Sequence, residues 1–149
     1  SEAQEHCRKI DVVTVKGSSI PMPVYTYDAL QGQTFPQLRT PKCSNLDLEE
    51  VLRTQANEYD ASFWIQDEDL IQLRCLSTNE FKTVFSKGLE QYLAGSWLKA
   101  RDYFQKANEL MRESDMKFDG PSETLLNYMK SSEWNSPVDW KGCRPLTNK

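Results

Sequence analysis

A single histidine, His6, stands in the chain, and the four cysteines (Cys7, Cys43, Cys75 and Cys143) lie far apart with no CxxC pair. Zinc clusters and dithiol redox motifs need close Cys/His spacing, so neither class fits. A small secreted domain would be stapled more densely, and reduced thiols in the cytosol are therefore expected, with Cys7 and Cys75 as packing residues. No apolar run reaches the ~20 residues needed to cross a bilayer. The opening SEAQEHCRK lacks the apolar centre of a signal peptide. Lysine and arginine number 18 against 22 aspartates and glutamates, and they are scattered. No basic stripe is available for nucleic acid or an anionic membrane. Also missing are a Gly-rich phosphate loop, a nucleophile elbow and a Cys/His pair. The triplet Asp67-Glu68-Asp69 lacks the alternating oxygen ligands and central glycine of an EF-hand. It reads as a solvated face or a helix start favoured by the dipole.

What is present is aromatic: four Trp, six Tyr and six Phe in 149 residues, concentrated between Phe81 and Trp140. Disordered chains are poor in such residues, so a packed core is expected there. The mean hydropathy of −0.68 keeps that core small.

Residues 8–28, RKIDVVTVKGSSIPMPVYTYD, alternate and are rich in β-branched and aromatic side chains. Two strands, roughly Ile10–Lys16 and Met22–Tyr27, flank a turn at Gly17-Ser18-Ser19. Pro21 and Pro23 confine the second strand to an edge, because proline donates nothing to a ladder. A lone hairpin is marginal in water, and the sheet or helical face that would support it is expected to lie outside this chain. Residues 29–44 lose all period around Gly32, Pro36 and Pro41 and read as a linker. From Asn45 the pattern turns helical through Leu46, Val51, Leu52 and Tyr59. Phe63 to Leu73 reads as a short helix or an irregular docking segment.

Two stronger helices follow. Ser77 and Glu80 form a capping box ahead of Phe81, Val84, Phe85 and Leu89, and the helix should stop near Ala94-Gly95. Ser96 then caps a second helix to about Met111. Asp119-Gly120-Pro121-Ser122 opens a third with proline at its first position. A phosphate-binding helix start is opposed there by the acidic first residue, which leaves a structural cap. The tail, SSEWNSPVDWKGCRPLTNK, should wrap over the bundle, with Trp134 and Trp140 packing or anchoring a partner.

Gly88, Gly95, Trp97, Ala100, Phe104 and Ala107 match the small and aromatic positions of a tetratricopeptide repeat (TPR). Small residues let antiparallel helices approach, and aromatics fill the holes beside them. Val84, Gln91 and Arg112 depart from that motif, and only one copy is present. The expected fold is therefore mainly α: a TPR-like antiparallel helical hairpin with capping helices, plus an N-terminal β-hairpin. The expected division is a hairpin over 1–28, a linker over 29–44 and a helical domain over 45–149.

The run Val13-Thr14-Val15-Lys16-Gly17 followed by Pro23-Val24-Tyr25 resembles the closing strands of class III adenylyl and guanylyl cyclase catalytic domains. GLEQYLAGSWLKARDYFQKA, then DGPSETLL and DWKGCRPLTNK, is similar to the extension that follows that domain in many microbial and protist cyclases. Together the likenesses cover roughly 7–28 and 80–149. They imply a C-terminal regulatory or interaction region of a protein that converts ATP or GTP to cAMP or cGMP. By the resemblance, Lys16 would help bind nucleotide phosphate in the parent. Mg or Mn would serve the parent through paired aspartates upstream of Ser1, where the base-reading residues would also lie. No catalytic residue, metal ligand or cofactor is assigned to this chain, which alone should not be an enzyme. The expected partners are the catalytic domain of the same polypeptide, another protein, or a second copy in a homodimer, on the cytoplasmic side of any membrane. The competing expectation is a free-standing TPR-like adaptor that binds a peptide in an open groove.

Overall fold

The computed structural model describes residues 6–28, 63–66, 68–75, 77–113 and 118–146. The linker, the helix expected from Asn45 and Cys43 lie outside these, as does Asp67 of the acidic triplet. Two compact units are present, the larger formed by Cys7–Asp28 together with Leu76–Lys149. Within the smaller unit, α1 (Phe63–Gln66) and α2 (Glu68–Leu73) are short helices. There Arg74 Nε donates to the Leu70 carbonyl at 3.1 Å, and its Nη1 lies 2.7 Å from His6 Nδ1.

The larger unit begins with β1 (Cys7–Val15) and β2 (Met22–Tyr27), paired antiparallel. Three helices follow: α3 (Asn79–Leu93), α4 (Trp97–Glu113) and α5 (Gly120–Ser131). The chain then returns as β3 (Arg144–Leu146), which lies parallel to β1 and completes a sheet of order β2-β1-β3. The mainly-α expectation is thus corrected to an α+β fold, a mixed three-stranded sheet built together with the helices. The physical reason is the tail. It does lay Trp134 and Trp140 on the helices, and then supplies the strand that turns a marginal hairpin into a sheet. The support expected from outside the chain comes from within it.

The helices form where apolar residues recur at three and four positions. Phe81, Val84, Phe85, Leu89 and Tyr92 on α3 meet Trp97, Ala100, Phe104, Ala107 and Met111 on α4, and Leu125, Leu126 and Met129 on α5 close the core. A Cβ at Gly88 would stand 2.9 Å from a Phe104 ring carbon, so only glycine permits this approach of α3 to α4. The cap of α3 is Thr78, whose Oγ1 accepts from Phe81 N. The capping-box reading is therefore one residue out, and Ser77 is freed for another bond. Asp119 caps α5, with proline in the first turn. Cys75 is exposed rather than packed, while Cys7 and Cys143 are half-buried; all three are free thiols.

Candidate functional site

Strand β1 does not keep a strict two-residue alternation. Lys9 faces Tyr25 but Asp11 faces Val24, which leaves Ile10 as an extra residue in a β-bulge. The bulge shifts the phase, so Arg8, Asp11 and Val13 are all buried on the helix-facing side. Two charged side chains are thereby driven into the core, and each is met by an opposite charge from far along the chain.

Arg8 forks onto two carboxylates. Its Nε and Nη2 donate to Asp28 at 2.8 and 2.7 Å, and its Nη1 and Nη2 donate to Asp119 at 3.2 and 2.8 Å. The guanidinium also lies over the rings of Phe81 and Phe85, at 4.7 and 4.1 Å from their centroids. Burial alone would depress its pKa, but the hydrogen bonds and charges of Asp28 and Asp119 outweigh this and raise it. The surplus negative charge is held by helix starts. Asp119 Oδ2 accepts from Ser122 N and Oγ at 2.9 and 2.6 Å, and Asp28 Oδ2 accepts from Ser77 Oγ at 2.9 Å. Asn108 on α4 extends the network, accepting from Asp119 N at 2.9 Å and donating to Glu123 at 2.7 Å.

The second pair joins the two ends of the larger unit. Arg144 Nε and Nη2 donate to Asp11 Oδ2 at 2.8 and 2.7 Å, while Val12 N donates to Oδ1 at 2.8 Å. Burial raises the Asp11 pKa above the usual carboxylate range, and Arg144 only partly offsets this. Beside the pair sits the fully buried Tyr92, whose hydroxyl lies within the influence of both Asp11 and Arg144. Burial, then the Asp11 charge, hold that phenol neutral, well above its ordinary range. Tyr128, under Arg144 at 5.4 Å, is raised for the same first reason.

The two partners of this pair are not equivalent. The Asp11 side chain is 6 % exposed and that of Arg144 is 22 %, so a bereft Arg144 can turn to water but a bereft Asp11 cannot. Arg144→Met should cost about 2 kcal/mol at neutral pH, and Asp11→Asn about 1 kcal/mol or less. The sign with pH follows from linkage. A carboxyl raised by folding binds more protons in the native state, so its contribution is fullest below its unfolded pKa and is lost as pH rises through the folded one. The Arg144→Met penalty should therefore shrink in acid as Asp11 takes up a proton. Urea titrations of both variants across acid to neutral pH check this; a penalty independent of pH would refute it.

The residues singled out from the sequence fall in two places. Gly88, Trp97, Ala100, Phe104 and Ala107 are buried where α3 meets α4. Gly95 turns the chain between those helices with φ of +81°. Trp97 donates its indole N–H to the Tyr92 carbonyl at 3.1 Å. Lys16 stands exposed just past the end of β1, in the turn closed by Ser18 N donating to the Val15 carbonyl. Trp140 covers the end of the helical hairpin, its indole N–H on the Leu93 carbonyl at 3.1 Å and its ring 5.2 Å from both Tyr92 and Trp97. Arg8, Asp11, Asp28 and Arg144 were not among the expected residues. The available signal was two charges, Arg8 and Asp11, inside a strand otherwise fit for burial.

A groove of about 400 Å³ is lined by Gln105, Asn108, Glu109, Arg112, Glu123 and Leu126. Among the described residues no group of three or more His, Cys, Asp or Glu gathers as for a metal ion, and no helix is long and apolar enough to cross a membrane. The site is chemically a set of buried and half-buried ion pairs. No family model, curated protein or solved structure gives a significant match to the chain.

Proposed function

We propose that this chain is the non-catalytic C-terminal regulatory region of a nucleotide cyclase, whose parent polypeptide converts ATP or GTP to the cyclic nucleotide with Mg or Mn on the cytoplasmic side. One observation carries this reading. The hairpin with the cyclase-like Val13–Gly17 and Pro23–Tyr25 runs shares a sheet with the tail and a buried charge cluster with the start of α5. In the parent, the strand that leads to Lys16 would be held by the extension, so a shift of the helices would move the phosphate-binding lysine. The extension would then set the activity or the dimerisation of the catalytic domain without contributing a reacting group. An adaptor role draws less support, because Trp140 covers the end of the helical hairpin.

Two measurements test the proposal. The 149-residue chain incubated with ATP or GTP and Mn²⁺ should form no cyclic nucleotide, and robust turnover would refute the non-catalytic reading. In the parent, Arg144→Met should change kcat several-fold while the catalytic domain stays folded. Unchanged kcat, dimerisation and localisation would end the regulatory reading, and a coding sequence ahead of Ser1 without paired metal-binding aspartates would end the cyclase assignment.

A further inference from the structure

The segment from Trp134 to Leu146 is attached at its far end by few elements and at its near end by a strained hinge. At the C-terminus of α5, Glu133 N donates to the Lys130 carbonyl and Trp134 N to the Met129 carbonyl, the reciprocal pair of a Schellman stop. That motif places glycine in the left-handed conformation, but here two consecutive non-glycine residues occupy it: Glu133 at φ 51° and Trp134 at φ 64°. Side chains are disfavoured there because Cβ crowds the carbonyl. Beyond the hinge, the segment's hold on the body comes from specific, separable contacts. Trp140 lies against Tyr92, Trp97 and Tyr128. Gly142 passes where a Cβ would lie 3.0 Å from the Leu93 carbonyl. Arg144 reaches Asp11, and three residues of β3 pair with β1.

We propose that this segment is an exchangeable strap, closed on its own chain in the monomer and able to occupy the same slot on a second copy of the chain. The contacts of Trp140, Gly142, Arg144 and β3 can all be made in trans without change, and what exchange gives up is confined to the hinge. Association entropy, the two hinge hydrogen bonds and the seat of Trp134 oppose exchange, and release of the left-handed hinge as Glu133 and Trp134 extend favours it. Short hinges under strain are the usual setting for such swapping. The inference does not depend on the cyclase reading, since it concerns only this chain and its copy.

The register supplies the probe. Thr14 and Pro145 are Cα partners in the β1–β3 pair. In a background with the four native cysteines replaced by serine, one chain carries Thr14→Cys and another Pro145→Cys. After equal mixing at high concentration and mild oxidation, a disulfide-linked dimer of the two different chains is expected, because only a strap in trans brings those positions together. Glu133→Gly, which accepts the left-handed turn without strain, should lower that yield several-fold. No mixed dimer, or one equally abundant when Lys82→Cys on α3 replaces Thr14→Cys, would overturn the proposal. Native mass spectrometry of the unaltered chain under reducing conditions gives an independent reading. Dimer that grows with concentration and falls with Glu133→Gly supports exchange; monomer throughout refutes it.

Discussion

Replacing Arg8 with methionine should destabilise the larger unit by about 3–5 kcal/mol, the loss typical when one partner of a buried ion pair is removed. The Arg8 guanidinium lies over Phe81 and Phe85, and methionine fills that place with an unbranched apolar side chain, so the loss is of the charge and its cation–π contacts more than of packing. What changes is charge. The carboxylates of Asp28 and Asp119, with side chains 13 % and 4 % exposed, are left facing each other with no cation between them. Ser77, Ser122 and the α5 N-terminus remain as donors but carry only partial charge. The control is the triple variant Arg8→Met with Asp28→Asn and Asp119→Asn, which removes the charges together. Asparagine is as good an N-cap as aspartate, so the start of α5 should survive, and most of the lost stability should return. Urea unfolding monitored by far-UV circular dichroism would register this as a fall and recovery of the midpoint at constant slope. A single variant within 1 kcal/mol of the parent chain would show that the network is dispensable.

That network also marks how far the sequence could be read. The hairpin, its turn and the helices around Phe81, Trp97 and Leu125 were legible because periods of two and 3.6 are local properties. The burial of Trp97, Ala100, Phe104 and Ala107 follows from the same spacing. The inward turn of Asp11 was not legible. A strict alternation from Arg8 puts Ile10 and Val12 on the inner face, and only the bulge at Ile10 reverses this. Strand β3 was hidden for a different reason: it is three residues long, contains Pro145, and is a strand only because β1 lies beside it. Without β3 the hairpin looks unsupported and the chain looks mainly helical, so missing one short strand led to the wrong fold class. The partners of Arg8 and Asp11, 111 and 133 residues away, leave no trace in any local window. The role of Lys16 rests on resemblance, since its exposed position is what any turn lysine would show.

Trp97→Ala should cost about 3–5 kcal/mol, the range for deleting a fully buried large aromatic, and its effect should reach the tail. The ring of Trp97 is 1 % exposed and meets Tyr92, Tyr128 and Trp140 at centroid distances of 5.8, 5.6 and 5.2 Å. Its indole hydrogen bond is the smaller part of its contribution, because the Tyr92 carbonyl also accepts from Gly95 N at 3.0 Å. Trp97→Phe, which keeps a ring and gives up the N–H, should therefore lose only about 1 kcal/mol. The larger loss in Trp97→Ala comes from the void left beneath Trp140, one of the contacts that hold the segment carrying β3. If the two indoles act as a unit, a cycle of Trp97→Ala, Trp140→Ala and the double variant should return a coupling of about 0.5–1.5 kcal/mol. Near-UV circular dichroism should lose intensity in each single variant, since the remaining indole loses its edge-to-face neighbour. Strict additivity of the two losses would mean that Trp140 is held by Leu93, Tyr92 and Tyr128 without help from Trp97. The sheet would then be closed from the β1 side, through Asp11, rather than from the helices.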